Sequence, residues 1–175
     1  MSGAHVIINS VLLVPLAVVI TYYDGRYRRI PNTFVLATLV AGLLINACAG
    51  SWPGVGRSLE GCALAFVLMF VLHVFGAMGA GDVKLFAAIG AVLGAPLVVP
   101  TFLVVVLTGG VLGVFTMVRA RAVRTTLLRV AQIFMGLLPG WELPRFAVPQ
   151  ERRYTIPYGV AITFGSLIAL MLFRA

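Results

Sequence analysis

A chain of 175 residues has room for one domain, but 61% of it is hydrophobic and 10% charged, against about 25% charged in a soluble domain. With a mean hydropathy of +1.08 the chain reads as a polytopic membrane protein, not a globular enzyme or a binding module in solution. The formal charge of +8 does not point to nucleic acid, because the basic residues lie in short clusters between apolar runs, where membrane topology accounts for them.

Two cysteines, Cys48 and Cys62, sit beside or within apolar runs with no CxxC pair. They read as small hydrophobes, so neither a zinc ribbon nor a disulfide framework is expected. The N-terminus lacks a basic stretch and a convincing cleavage site, so residues from Val6 onward read as a retained span.

The first run, residues 6–23, is close to the ~20 residues a helix needs to cross the hydrocarbon core. It ends in Tyr22 and Tyr23, then Asp24, Gly25 and the arginines 26, 28 and 29, which puts this end in the cytoplasm and the N-terminus outside. Pro31 marks a turn, with Asn32 or Thr33 able to cap the second run, residues 33–49. Residues 50–56 are a loop by composition, with Trp52 an interfacial anchor. The third run, 59–78, carries Glu60 as a helix-start carboxylate and His73 as an interior residue bonded to a neighbouring helix.

Residues 83–93 give only about 16 Å of helix, too little to span alone. One helix over 83–118 would need about 54 Å, far beyond a core of ~30 Å. A short outgoing helix, a turn near Gly94 to Pro96 and a returning helix over 97–118 fit better. Gly90 and Gly94, and Gly109 and Gly113, stand four apart and let helices approach closely, with packing favoured over an oligomer. Residues 119–154 form the one sizeable loop, in which apolar residues at near-helical intervals suggest an amphipathic helix on the inner lipid surface. The last run, 155–173, opens with Ile156, Pro157, Tyr158 and Gly159. The whole, 1–175, is one all-α membrane-embedded domain with about six segments, the fourth short. Eleven of thirteen basic residues fall on the cytoplasmic side, the exceptions being Arg57 and Arg174.

The chain has two aspartates, Asp24 and Asp82, and this topology sets both at one depth near the cytoplasmic ends of apolar runs. Ionisable groups at such positions are costly and mark function. Two carboxyl groups in a poorly solvated place share a proton, so one can deprotonate a water while the other hydrogen-bonds the carbonyl under attack. Gly79 and Gly81 would permit irregular backbone and close approach of an extended substrate. Plainer readings exist for each: Asp82 as a helix cap, Asp24 as a turn residue, and Lys84 as a positive-inside residue instead of one that tunes the pair.

The stretch Gly79-Ala80-Gly81-Asp82-Val83-Lys84-Leu85 resembles the GxGD signature of the type IV prepilin peptidases, which are intramembrane aspartic proteases. The segment from Asp24 through Arg29-Ile30-Pro31-Asn32 and the opening Ile156-Pro157-Tyr158-Gly159 are similar to the same family, in the same order. The resemblance implies that Asp24 and Asp82 are the catalytic pair, with Gly79, Gly81, Lys84, Pro157 and Tyr158 near the substrate. It implies a pilin precursor as partner, cut at the cytoplasmic face of the bacterial inner membrane, with no metal or other cofactor. Full-length members carry an N-methyltransferase region with a four-cysteine zinc site, for which the link from Asp24 to Thr33 is too short. The chain most resembles the short peptidases of tight-adherence (Flp-type) pilus systems. A GxGD protease with another membrane substrate, a noncatalytic scaffold of a pilus or secretion apparatus, and a transporter using the aspartates as a proton relay are the alternatives.

Overall fold

Apolar segments in a bilayer must satisfy every backbone N–H and C=O within the protein, and this chain does so as helices. The computed structural model describes residues 3–27, 29–75, 78–119 and 158–173. Among them lie five helices: α1 (Gly3–Tyr27), α2 (Asn32–Val74), α3 (Ala80–Leu93), α4 (Ala95–Arg119) and α5 (Tyr158–Leu172). Three segments, Ile7–Tyr27, Asn32–Val74 and Ala95–Thr116, are long and apolar enough to cross a membrane. The described residues up to Gly109, with α5, form one compact unit, and the last turns of α4, 110–119, belong to a second. The surface helix expected in 119–154 falls on 120–154, which with Pro157 lies outside the described residues.

Two boundaries differ from the sequence reading. Helix α2 begins directly after Pro31, whose extended backbone (φ −67°, ψ 127°) occupies the cap position, so neither Asn32 nor Thr33 caps it. The loop expected over 50–56 contracts to Ser51 alone (φ 51°, ψ −137°), and helix resumes at once. Pro53 is compatible with this because a proline in a first helical turn forfeits an N–H that has no partner there. The bend reverses the chain. Gly54 packs on the carbonyl of Asn46, eight residues back, which a straight helix would hold about 12 Å away.

The two limbs of α2, 32–50 and 52–74, both grip α3. A Cβ on Gly42 in the first limb would lie 2.8 Å from the Val92 backbone nitrogen, and Gly61 in the second packs on the Gly90 carbonyl and on Gly94. Asn46 donates to the carbonyls of Ala91 (2.9 Å) and Val92 (3.3 Å), and Ser58 donates to that of Ala91 (2.7 Å). These are among the carbonyls that a helix end leaves without partners, so side chains from both limbs fasten the C-terminus of α3. Gly94 (φ 76°) then turns the chain into α4, and Phe86 meets Phe102 at 6.1 Å between ring centroids, as in an antiparallel pair.

Helix α3 is apolar all round: Val83 and every residue from Leu85 to Leu93 are buried. A helix with this pattern is a core helix. Its Phe86 and Ile89 join Ile20 of α1, Met69 of α2, Val98 and Val105 of α4 and Ile162 of α5 in the central cluster. The expected short fourth segment is therefore the buried hub of the unit.

Candidate active site

Asp24 belongs to a helical stripe. Asn9, Leu13, Leu16, Ile20 and Asp24 follow one another at three- and four-residue intervals, and all are buried, Asp24 to 7% exposure. Helix α1 runs on to Tyr27, so Asp24 sits in its last turns and the plain turn reading does not hold. Arg26 at the end of α1 favours this extension through the helix dipole. Tyr22, Tyr23 and Tyr27 make mutual ring contacts around it, and Tyr23 also meets Phe34 of α2 at 5.7 Å.

The partner of Asp24 comes from far along the chain. The backbone N–H of Gly159 in the first turn of α5 donates to Asp24 Oδ2 at 2.9 Å. First-turn N–H groups have no acceptor inside their own helix and suit an anion. A Cβ at 159 would lie 2.9 Å from both Asp24 Oδ2 and Ile20 Cγ2, so this approach requires glycine. Gly159 is the residue that the site analysis of the sequence left out; its position after Pro157 and Tyr158 was the available signal.

Asp82 opens α3. The plain reading of Asp82 as the cap of a helix starting at Val83 does not hold: α3 starts at Ala80 with Gly79 at the cap position, and Asp82, at the third helical position, reaches back so that its Oδ2 accepts from the Gly79 N–H at 3.1 Å. Gly79 is extended (φ −79°, ψ 154°), a conformation open to any residue, but a Cβ there would lie 3.2 Å from Asp82 Oδ2. Gly81 departs from the expectation of irregular backbone: it is helical, and a Cβ there would lie 3.7 Å from Ile30. Asp82 lies outside the three candidate membrane spans. Burial, opposed by the Gly79 hydrogen bond and assisted by the Asp24 charge, pushes its carboxyl up to about 6.

Because the Asp24 charge is among the causes that raise Asp82, the aspartates of α1 and α3 lie within electrostatic range of each other. Tyr158, half-buried at the start of α5, is in electrostatic range of Asp82, and its ring lies near Gly109. Lys84 is exposed. His73 does not bond a neighbouring helix as expected; its Nδ1 is 2.8 Å from the carbonyl oxygen of Met78, just beyond its own helix. Two carboxyl groups so arranged, each with one oxygen held by a backbone N–H at a helix N-terminus, can hold one proton between them.

Residues 11–114 match the type IV leader peptidase family, and the chain belongs to that family. Over 165 residues, 93% of this chain, it is 30% identical to the prepilin leader peptidase/N-methyltransferase of Bacillus subtilis (strain 168). It spans 54% of the length of that relative. No solved structure matches the chain.

Proposed function

We propose that the chain is an intramembrane aspartic endopeptidase that removes the leader from type IV pilin precursors of the Flp type. Asp24 and Asp82 act as the pair. The observation that carries this reading is that two aspartates from separate helices lie within electrostatic range, each with an oxygen held by a backbone N–H, in a member of a leader peptidase family.

Asp24 is the ionised member and serves as the base, because the Gly159 N–H at the positive end of α5 favours its carboxylate form, while Asp82 keeps the proton. Ionised Asp24 takes a proton from water as the water oxygen attacks the peptide carbonyl carbon. Asp82 gives its proton to the developing oxyanion. The tetrahedral intermediate collapses as that proton returns to Asp82, the C–N bond breaks, and the nitrogen leaves with the proton that Asp24 had taken. Gly79, Gly81, Lys84, Pro157 and Tyr158 are the residues we assign to substrate approach.

Cleavage without methylation follows from the link between α1 and α2, residues 28–31, which is too short for a zinc-bound domain. The reading sets the enzyme in the bacterial inner membrane, in contact with lipid, with its N-terminus outside and the aspartates at the cytoplasmic edge.

The test is cleavage of a co-expressed Flp-type precursor in membranes. Asp24→Asn and Asp82→Asn should each abolish the shortened product at normal protein levels, a loss of at least about a thousandfold. Full cleavage by either variant removes that aspartate from the mechanism and favours the scaffold.

A further inference from the structure

The break between α2 and α3 is bridged by a hydrogen bond that the pair of aspartates does not explain. His73, in the last turn of α2, places Nδ1 2.8 Å from the Met78 carbonyl oxygen. A carbonyl only accepts, so His73 Nδ1 carries the hydrogen and donates it. A histidine that merely closed a helix end would bond the last carbonyls of its own helix. Met78 lies beyond α2, directly before Gly79.

The Met78 carbonyl and the Gly79 N–H are the two ends of one peptide group. Described peptides include no cis bond, so the two ends point in opposite directions. One end takes the His73 proton donor; the other donates to Asp82 Oδ2 at 3.1 Å. Bonds in such a chain polarise one another, and fixing one end of a planar group fixes the rotation of the other. The imidazole is itself oriented by Phe70, with ring centroids 6.2 Å apart.

We propose that His73 is a positioning residue that sets the Asp82 carboxyl through the Met78–Gly79 peptide group. This rests on the reading of Asp82 as one of the catalytic pair. His73 touches neither substrate nor water in this role. It holds the peptide so that the Gly79 N–H stays on one oxygen of Asp82, leaving the other oxygen to the chemistry.

Two variants separate this from general packing. His73→Phe keeps a ring beside Phe70 and removes the donor. His73→Asn loses the ring but keeps an N–H donor at the same number of bonds from the backbone. In membranes with the Flp-type precursor, His73→Phe should lower kcat about tenfold with KM within about twofold of native, whereas His73→Asn should stay within about threefold of native.

The second readout needs no substrate. Protein labelled with ¹³C at methionine carbonyls and ¹⁵N at glycine reports only the Met78–Gly79 and Met135–Gly136 peptides. In detergent, the Gly79 amide proton should move upfield in both His73→Phe and Asp82→Asn and keep its native position in His73→Asn. An unmoved Gly79 amide in His73→Phe, or a His73→Asn protein as impaired as His73→Phe, overturns the proposal. If the native protein cuts no precursor, the leader peptidase reading fails, and the amide shift alone still decides whether His73 sets Asp82.

Discussion

The carboxyl group of Asp24 is held by a backbone atom, and this makes its partner sensitive to the smallest change of side chain. Gly159→Ala would drive a methyl group against Asp24 Oδ2 and Ile20, each 2.9 Å from the new carbon. Displacing a catalytic carboxylate by such a step should cost about a hundredfold in cleavage rate in membranes, with both aspartates intact. Native turnover in Gly159→Ala would separate this contact from catalysis. The pH dependence follows from Asp82, which burial raises to about 6. A raised carboxyl keeps its proton to higher pH, so an acid in this position is lost as pH rises through its midpoint. Initial rates should therefore fall with rising pH, with an apparent midpoint at about 6; a rate that climbs through that interval reverses the roles of the two aspartates. Both aspartates were legible in the sequence because charge in an apolar run is conspicuous. Gly159 was not, since a backbone N–H donor leaves no mark of its own in the residue type. The His73 contact was equally hidden: its acceptor is a carbonyl that every residue possesses.

Helix α3 shows how an element can be located correctly and still be misjudged in character. Its apolar length and the turn at Gly94 were plain in the sequence. Its place at the centre was not, because an apolar run reads alike whether it faces lipid or protein. What distinguishes the two is the small residues of other helices, Gly42, Gly61 and Ala65, that meet it. The bend at Ser51 was similarly overestimated as a loop over 50–56, since glycine and proline mark a break without giving its extent. The clamp on α3 can be tested through its polar members. Asn46→Ala and Ser58→Ala should each lower stability by about 1 kcal/mol, read from the thermal unfolding midpoint in detergent. Both donate to the Ala91 carbonyl, so each single variant leaves it one donor and the double variant should lose more than the sum. A double variant with the native midpoint would show that α3 is held by packing alone.

For the molecule in its membrane, the proposed cytoplasmic site predicts an orientation that the arginines and lysine should set. Arg26 ends α1, Lys84 lies in the first turns of α3 and Arg119 ends α4, while Arg57 follows the bend of α2. Positive residues favour the cytoplasmic side, so a reporter fused after Arg119 should be cytoplasmic and one inserted at Ser51 external. The opposite pattern would set both aspartates on the outer face and exclude a cytoplasmic cleavage site. The hydrogen bond from α5 to α1 also bears on what counts as the smallest working enzyme. The match to the family model ends at residue 114, having passed both carboxyl groups. The donor that holds one of them comes from residue 159. A chain ended there would keep both carboxyl groups and lose the N–H that holds Asp24, so a contact made across 135 residues of sequence decides how that carboxylate is held.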